Sequence, residues 1–164
     1  MSDLIIPIEK CSVKVAVRIR PLNNREQNSN IIVSTKDDTV FIKDPIENTK
    51  KTFVYDYTYD NDSKQSDVYD NIGTKIVDNA YKGYNCCIFA YGQTGSGKSY
   101  SMLGGSGDDA GIIPRICQNL FDKQSLTHNE SDCNIAYRIE ISYLEIYSEQ
   151  VKDLISPDPD IKSL

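Results

Sequence analysis

The amino-acid sequence predicts an α/β fold in which a buried strand, a glycine-rich loop and a helix follow one another near the middle of the chain. Residues 85–91 include an unbroken apolar run, which is typical of a parallel strand buried on both faces. The next residues, 92–99, fit the phosphate-binding pattern G-x-x-x-x-G-K-[ST]. The chain can begin a helix after Lys98. This order of elements indicates a phosphate-binding α/β domain.

Short strands are predicted before the central segment. Pro21 ends the first of them, because proline cannot donate to a strand ladder. Asp37-Asp38 separates the next two and predicts a hairpin, and residues 60–63 predict a turn. The predicted strands cover residues 12–19, 31–34, 39–42 and 52–55.

Residues 65–82 predict a helix, since apolar residues recur along them at helical spacing. Ser63 or Ser66 can cap its N-terminus, and Gly83 can end it.

The elements after the glycine-rich loop follow from the same patterns. The helix that begins there is interrupted by glycines at 104–107, and a second helical stretch is predicted at 112–123. The polar residues 127–132 predict a loop. The longest strand signal is the clean alternation at 135–143, and one or two helical turns are predicted at 149–155.

The glycine-rich loop suits a nucleotide, whose phosphates place several negative charges close together. Glycines let the loop wrap around a phosphate with its N–H groups turned inward, and the next helix adds a partial positive charge. Lys98 would reach the β- and γ-phosphates of ATP, and the hydroxyl of Ser99 would ligate Mg²⁺. The alternative is a glycine-rich turn with a chance lysine. The predicted nucleotide-binding residues of the loop are Gly92, Gln93, Thr94, Gly95, Ser96, Gly97, Lys98 and Ser99.

Composition limits the class of protein. The 164 residues, 39% hydrophobic and 26% charged, suffice for one globular domain without a secretory signal or a bilayer-spanning run. The net charge of −6 argues against contact with nucleic acid or an anionic membrane, and one histidine, His128, argues against a histidine-based metal site or catalytic triad. An odd number of cysteines without a C-x-x-C pair predicts reduced thiols in the cytosol. They are Cys11, Cys86, Cys87, Cys117 and Cys133.

Four blocks of the sequence resemble the kinesin motor domain, in the order that this family has them. They are residues 17–23 (VRIRPLN), 83–99 (the loop and the run before it), 111–115 (GIIPR), and 142–149 (SYLEIYSE) with 151–155 (VKDLI). Residues 53–57 and 98–102 look most like the kinesin-three class of cargo-transport kinesins. On this resemblance residues 1–11 are a lead, and residues 12–164 are the N-terminal half of a motor domain. The implied fold is an incomplete kinesin-like P-loop NTPase, with a mixed sheet flanked by helices.

The resemblance also implies residue roles. In kinesins the Arg-x-Arg-Pro segment lines the adenine pocket, which here indicates Arg18, Arg20 and Pro21. The residue after the P-loop Ser/Thr packs on the adenine, and here it is Tyr100. The alternatives are that the two arginines are solvated charges at a strand end and that Tyr100 is part of the core. ATP and Mg²⁺ are the implied cofactors.

The kinesin motifs that sense the γ-phosphate and place the attacking water, N-x-x-S-S-R-S-H and D-L-A-G-S-E, do not occur in this sequence. No catalytic residue is therefore predicted, and the chain alone is expected to be inactive. The resemblance implies a cytoplasmic, microtubule-associated ATPase that contacts microtubules through parts not present and leaves dimerisation through a coiled coil open. Two interpretations remain: the nucleotide-binding half of a microtubule motor, or a truncated, non-catalytic product that binds nucleotide or a partner.

Overall fold

The computed structural model describes residues 13–130 and 137–157, with side chains described up to residue 125 in the first range. The chain divides into two compact units, Met1–Phe121 and Asp122–Leu164, and each is described by itself. The elements of the first unit, in chain order, are β1 (Ala16–Arg18), β2 (Val33–Lys36), β3 (Thr39–Lys43), β4 (Lys50–Val54), β5 (Tyr57–Tyr59), α1 (Gln65–Val68), a π-helical turn (Tyr69–Gly73), α2 (Thr74–Tyr81), α3 (Lys98–Met102), a 3₁₀ turn (Gly107–Asp109) and α4 (Ile112–Glu130), whose last residues belong to the second unit. The second unit adds β6 (Leu144–Tyr147) and β7 (Gln150–Asp153).

The strands of the described residues form three small sheets, where the sequence predicted one mixed sheet. Strands β2, β3 and β4 form an antiparallel meander, and the predicted hairpin at Asp37-Asp38 is confirmed. Asp37 has φ 51°, which the tight connection requires. The predicted strand at 31–34 begins only at Val33, and the one at 52–55 begins earlier, at Lys50.

Strand β1 pairs in parallel with β5, a strand that the sequence analysis missed. The predicted strand at 12–19 is reduced to Ala16–Arg18, and residue 12 lies outside the described residues. Asp56 fixes the start of the pair, because its carboxylate accepts hydrogen bonds from the Val15 N–H at 2.9 Å and from Lys14 Nζ at 3.0 Å. These two donors lower the pKa of Asp56 below its usual value.

The helix predicted at 65–82 is confirmed, with a π-helical turn in its middle. Neither predicted serine caps it; its N-cap is Lys64, whose N–H donates to the Asp67 carboxylate at 2.9 Å. Gly83 ends the helix as predicted, with φ 86°. The N–H groups of Gly83 and Tyr84 donate to the carbonyls of Ala80 and Asn79, which satisfies the last turn in a Schellman motif.

The core of the first unit is formed by the side chains of Tyr59, Val68 and Ile112. Ile88 and Met102 pack against it, from the two sides of the glycine-rich loop. This cluster therefore fixes both ends of the loop to the β5 and α1 region, which is the arrangement that a rigid phosphate-binding loop needs.

The central strand predicted at 85–91 is wrong. These residues have no regular secondary structure, and their backbone groups make no backbone hydrogen bond to the rest of the described chain. Only Ile88 is half-buried, whereas Phe89 is 78% and Tyr91 96% exposed. The physical reason is that a strand exists only with a partner, and no described strand lies beside this segment.

Two other predictions, both for residues after the glycine-rich loop, differ from the structure in their bounds. The helix predicted at 112–123 is confirmed but continues to Glu130 as α4. The loop predicted at 127–132 is therefore wrong for its first four residues, including His128, and its last two lie outside the described residues. None of the helices in the described part of the chain is long and apolar enough to cross a membrane.

The hairpin of the second unit corrects two predictions. The strand expected at 135–143 is wrong for residues 137–143, which have no regular secondary structure. Residues 135 and 136 lie outside the described residues. The helical turns expected at 149–155 are instead strand β7, which pairs with β6. Ser148 and Glu149 connect the two strands with φ values of 52° and 57°, and this pair of positive values turns the chain back as a type I′ hairpin does.

Candidate phosphate-binding site

The glycine-rich loop has the backbone geometry that its sequence predicts. Gly92, Gly95 and Gly97 have φ values of 147°, 81° and 97°, which other residues rarely adopt. A Cβ on Gly92 would lie 2.6 Å from Ser96 Oγ, so the loop closes on itself too tightly for a side chain there. The curled loop thus leaves a concave backbone surface in front of α3.

The side chain of Lys98 turns back over the loop. Its ammonium donates to the carbonyl oxygens of Gly92 and Gln93, at 2.7 and 2.8 Å. Because an ammonium has three N–H donors, these two bonds orient the group and leave a third donor for an anion in the loop. The lysine is therefore positioned as a phosphate-binding lysine requires.

Helix α3 begins directly at the loop, with Gly97 as its N-cap and no side-chain cap. Its first backbone donors therefore have no partner within the helix and suit a negative charge. Ser99 lies in this first turn and is exposed, and its hydroxyl makes no hydrogen bond to the described residues. The site residues thus fit the phosphates of a nucleotide, and Ser99 fits a metal ligand beside them.

Arg20 lies beside the loop, because a Cβ on Gly97 would be 3.8 Å from its Cβ. Its guanidinium forms a bidentate pair with Glu26 at 2.6 and 2.7 Å and also donates to the carbonyl of Pro21 at 2.9 Å. Arg20 therefore forms a surface ion pair with Glu26, with both side chains 33% exposed, and its role at the adenine stays a prediction. Pro21 itself is exposed and begins the segment between β1 and β2.

The Glu26 contact predicts a dependence of stability on pH. Its hydrogen bond from Arg20, and then the N–H of Asn23, lower the pKa of Glu26 from 4.5 to about 2. Because the folded state lowers this pKa, the Arg20–Glu26 pair stabilises the folded chain fully above about pH 4.5. This stabilisation is lost as the pH falls towards about 2. Glu26→Gln should thus lower the urea midpoint at neutral pH and make no difference at about pH 2. Glu47→Gln, at an exposed glutamate of the same unit, is the control; an equal effect of Glu26→Gln at both pH values would contradict the assignment.

Arg18 is also held within the fold. Its guanidinium donates to Gln65 Oε1 at 2.8 Å, to Ser101 Oγ at 3.1 Å and to the carbonyl of Ser63 at 3.0 Å. It also lies over the ring of Tyr100, 5.1 Å from the ring centre. The arginine is therefore not a solvated strand-end charge, and its contact with Tyr100 brings together two residues predicted for the adenine pocket.

Tyr100 is 46% exposed, so the alternative that it is a core residue is wrong. Its hydroxyl donates to Asp109 Oδ1 at 3.1 Å. Desolvation, and then the Asp109 carboxylate, raise the pKa of Tyr100, so the phenol stays protonated at neutral pH. An exposed ring held at both its face and its hydroxyl suits the stacking of a flat ligand.

The residues from Gly104 to Gly111 fold back onto the end of α3. Gly104 and Ala110 form an isolated antiparallel bridge, and the Gly111 N–H donates to the Leu103 carbonyl at 2.9 Å. Arg115 holds the loop from the other side, donating to the carbonyls of Ala110 and Asp108 at 2.8 Å each. The glycines that interrupt the helix therefore form an ordered loop, which places Asp109 beside Tyr100.

Sequence reasoning missed Gln65, which joins these parts. This side chain is 2% exposed and contacts both Arg18 and α3. One signal was available, since Gln65 is a polar residue three positions before Val68 on the apolar face of its helix. The partner of Arg20, Glu26, gave no comparable signal.

Comparison with known proteins adds an independent finding. The model of the kinesin motor domain matches residues 18–164. The chain is 45% identical over 159 residues to kinesin-like protein KIF1A of Rattus norvegicus, covering 89% of this chain and 9% of that protein. It is 46% identical over 163 residues to kinesin-like protein KIF16B of Homo sapiens, covering 88% and 12%. For kinesin-related protein 1 of Dictyostelium discoideum the identity is 42% over 167 residues, covering 90% and 8%. The chain thus spans 8% to 12% of the length of these relatives.

Proposed function

The chain belongs to the kinesin motor-domain family, and from this premise we propose that it is the nucleotide-binding half of an ATP-dependent microtubule motor. The resemblance to the kinesin-three class is confirmed by its curated relatives, which include KIF1A and KIF16B. The observation that best supports the proposal is the curled glycine loop with the Lys98 ammonium fixed over it, directly before an uncapped helix.

Each part of the site has a separate role in binding Mg-ATP. The backbone N–H groups of the loop would surround the β-phosphate, apart from that of Ser96, which donates to the Gln93 carbonyl at 3.2 Å. Lys98 would add charge at the β- and γ-phosphates. The Ser99 hydroxyl would ligate Mg²⁺, which would supply positive charge against the phosphates. Arg18, Arg20, Pro21 and Tyr100 form the side that receives the adenine. In a complete motor, hydrolysis of the bound ATP drives movement along microtubules.

A second candidate is a non-catalytic product that binds nucleotide or a partner without turnover. These 164 residues include the nucleotide site and neither of the two motifs that sense the γ-phosphate and place water, so nucleotide binding is the step that these residues themselves support. Phosphoryl transfer depends on such positioning groups for most of its rate. Both candidates thus share the same nucleotide site and differ in whether turnover follows.

The partner and location of the protein are proposals on the same basis. A motor of this family would work in the cytoplasm on the microtubule cytoskeleton. This segment has a net charge of −6 and would be repelled by an acidic polymer, so we place the microtubule contact in other parts of the motor. The same charge disfavours nucleic acid and anionic membranes as partners.

The site is tested by replacing the proposed metal ligand. Ser99→Ala should weaken binding of Mg-ATP by about tenfold, while ATP in the presence of EDTA should bind as it does to the unsubstituted chain. The reason is that only the magnesium complex uses the hydroxyl as a ligand. Titration calorimetry with and without Mg²⁺ measures both affinities, and Ser34→Ala, at an exposed position in β2, is the matched control.

Equal losses with and without Mg²⁺ would show that Ser99 has only a structural role. The same samples distinguish the two candidates by their phosphate release with and without microtubules. We expect no turnover from the 164 residues, and microtubule-stimulated turnover would contradict the proposal that this is only half of a motor.

A further inference from the structure

The side chain of Gln65 lies at the junction of three segments of the first unit. It is buried, with 2% of its surface exposed, and it is the only buried amide or charged side chain among the described residues. Its Oε1 accepts from Arg18 at the end of β1. Its Nε2 donates to the carbonyl of Tyr100 in α3 at 2.6 Å and to the carbonyl of Asp109 in the 104–111 loop at 3.1 Å.

The amide group of Gln65 is thus hydrogen-bonded through both polar atoms: its oxygen accepts one bond and its nitrogen donates two. The two segments that Nε2 joins are also joined through Tyr100, whose hydroxyl donates to the Asp109 carboxylate. The residue bonded to Oε1, Arg18, covers the face of the same ring. Gln65 therefore contacts both residues that bind the Tyr100 side chain: Arg18, which lies over the ring, and Asp109, whose carboxylate accepts from the hydroxyl.

We propose that Gln65 is a positioning residue for adenine, which sets the orientation of the Tyr100 ring through Arg18, the Tyr100 carbonyl and the Asp109 loop. This inference rests on the proposed nucleotide site and names a residue that supports the contact of that site with the base. A buried amide with all its groups bonded fixes one arrangement, because any rotation leaves a polar group unpaired. A ring held in one orientation needs no ordering when the base binds, which favours affinity.

The substitution Gln65→Glu tests this directly. A carboxylate keeps an acceptor for Arg18 but cannot donate to the carbonyls of Tyr100 and Asp109. We expect the affinity for Mg-ATP to fall by about fivefold, within the range that an aromatic contact is worth. Magnesium tripolyphosphate, which has the phosphates without the adenosine, should change by less than about twofold. The readout is therefore the ratio of the affinity for Mg-ATP to the affinity for magnesium tripolyphosphate. A general loss of structure would lower both affinities and leave this ratio unchanged.

Two further variants make the test specific. Gln118→Glu introduces the same change on the exposed surface of α4 and should leave the ratio unchanged. If Gln65 acts through the ring, Gln65→Glu should have no further effect on the ratio in a Tyr100→Ala background, because the two changes remove the same contact. Gln65→Met keeps the side-chain length without its polar ends. If the Gln65→Glu chain does not unfold cooperatively, Gln65→Met replaces it in the test, and we expect the same fall in the ratio.

The outcomes separate this inference from the proposed function. If the unsubstituted chain binds Mg-ATP and the ratio is the same for both Gln65 variants, the inference is wrong and the nucleotide site stands. Additive effects of Gln65→Glu and Tyr100→Ala on the ratio would also overturn it. Absence of any Mg-ATP binding by the unsubstituted chain would overturn the proposed function, and the inference with it.

Discussion

Replacing Lys98 with alanine is expected to weaken binding of Mg-ATP by about ten- to hundredfold. The ammonium is held over the loop by the carbonyls of Gly92 and Gln93, so it meets a phosphate without first being ordered. A charge-assisted hydrogen bond to a phosphate contributes about 1.5–3 kcal/mol, and alanine removes it together with the charge. Titration calorimetry with Mg-ATP measures the change.

The matched control for Lys98 is Lys82→Ala, which removes one positive charge from an exposed position at the C-terminus of α2. It should leave the affinity unchanged within about twofold, since Lys82 is exposed and the effect of its charge is screened by salt. Thermal unfolding of both variants shows whether the loss comes from the site or from the fold. An Mg-ATP affinity of Lys98→Ala equal to that of the unsubstituted chain would rule out the assignment of the loop as a nucleotide site.

The largest effect on stability is expected at Gly104. This residue has φ 68°, and a Cβ there would overlap the carbonyl oxygen of Asp109 and the backbone nitrogen of Gly111. Gly104→Ala should therefore lower the free energy of unfolding by about 2–4 kcal/mol, of which about 1–2 kcal/mol is the left-handed conformation and the rest is displaced backbone. Urea unfolding followed by circular dichroism measures it.

Gly107 provides the control within the same loop. It has φ 61°, but a Cβ there would meet nothing within 4 Å, so Gly107→Ala tests the backbone conformation without the overlap. Its expected cost is only the conformational part, about 1–2 kcal/mol. An equal loss of stability in both variants would contradict the close packing of the 104–111 loop against the end of α3.

The sequence predicted best those features that depend on nearby residues. A helix directly after the glycine-rich loop, the end of the 65–82 helix at Gly83 and the hairpin at Asp37-Asp38 each follow from a local signal. In each case the backbone conformation is set by the residue itself or by its immediate neighbours. The contact of the Lys98 ammonium with the loop carbonyls belongs to this group, because Gly92 and Lys98 lie within seven residues of one another.

The features that could not be predicted depend on residues far apart in the chain. The apolar run at 85–91 has the composition of a buried strand, yet its state depends on partners that composition does not supply. The β6–β7 hairpin turns at Ser148-Glu149, where no glycine or asparagine marks the positive φ values. The role of Gln65 was hidden for the same reason, since its partners Arg18 and Asp109 are 47 and 44 positions away.

The exposed residues 85–91 have a consequence for synthesis of the protein on the ribosome. Phe89 and Tyr91 leave the ribosome well before the chain is finished, and translation proceeds at about 5–20 residues per second. The described residues do not cover these aromatic rings, so the rings are open to solvent both during translation and after the first unit has folded. Hydrophobic segments in that state are what general chaperones bind. We therefore expect added chaperones to raise the yield of soluble protein from cells.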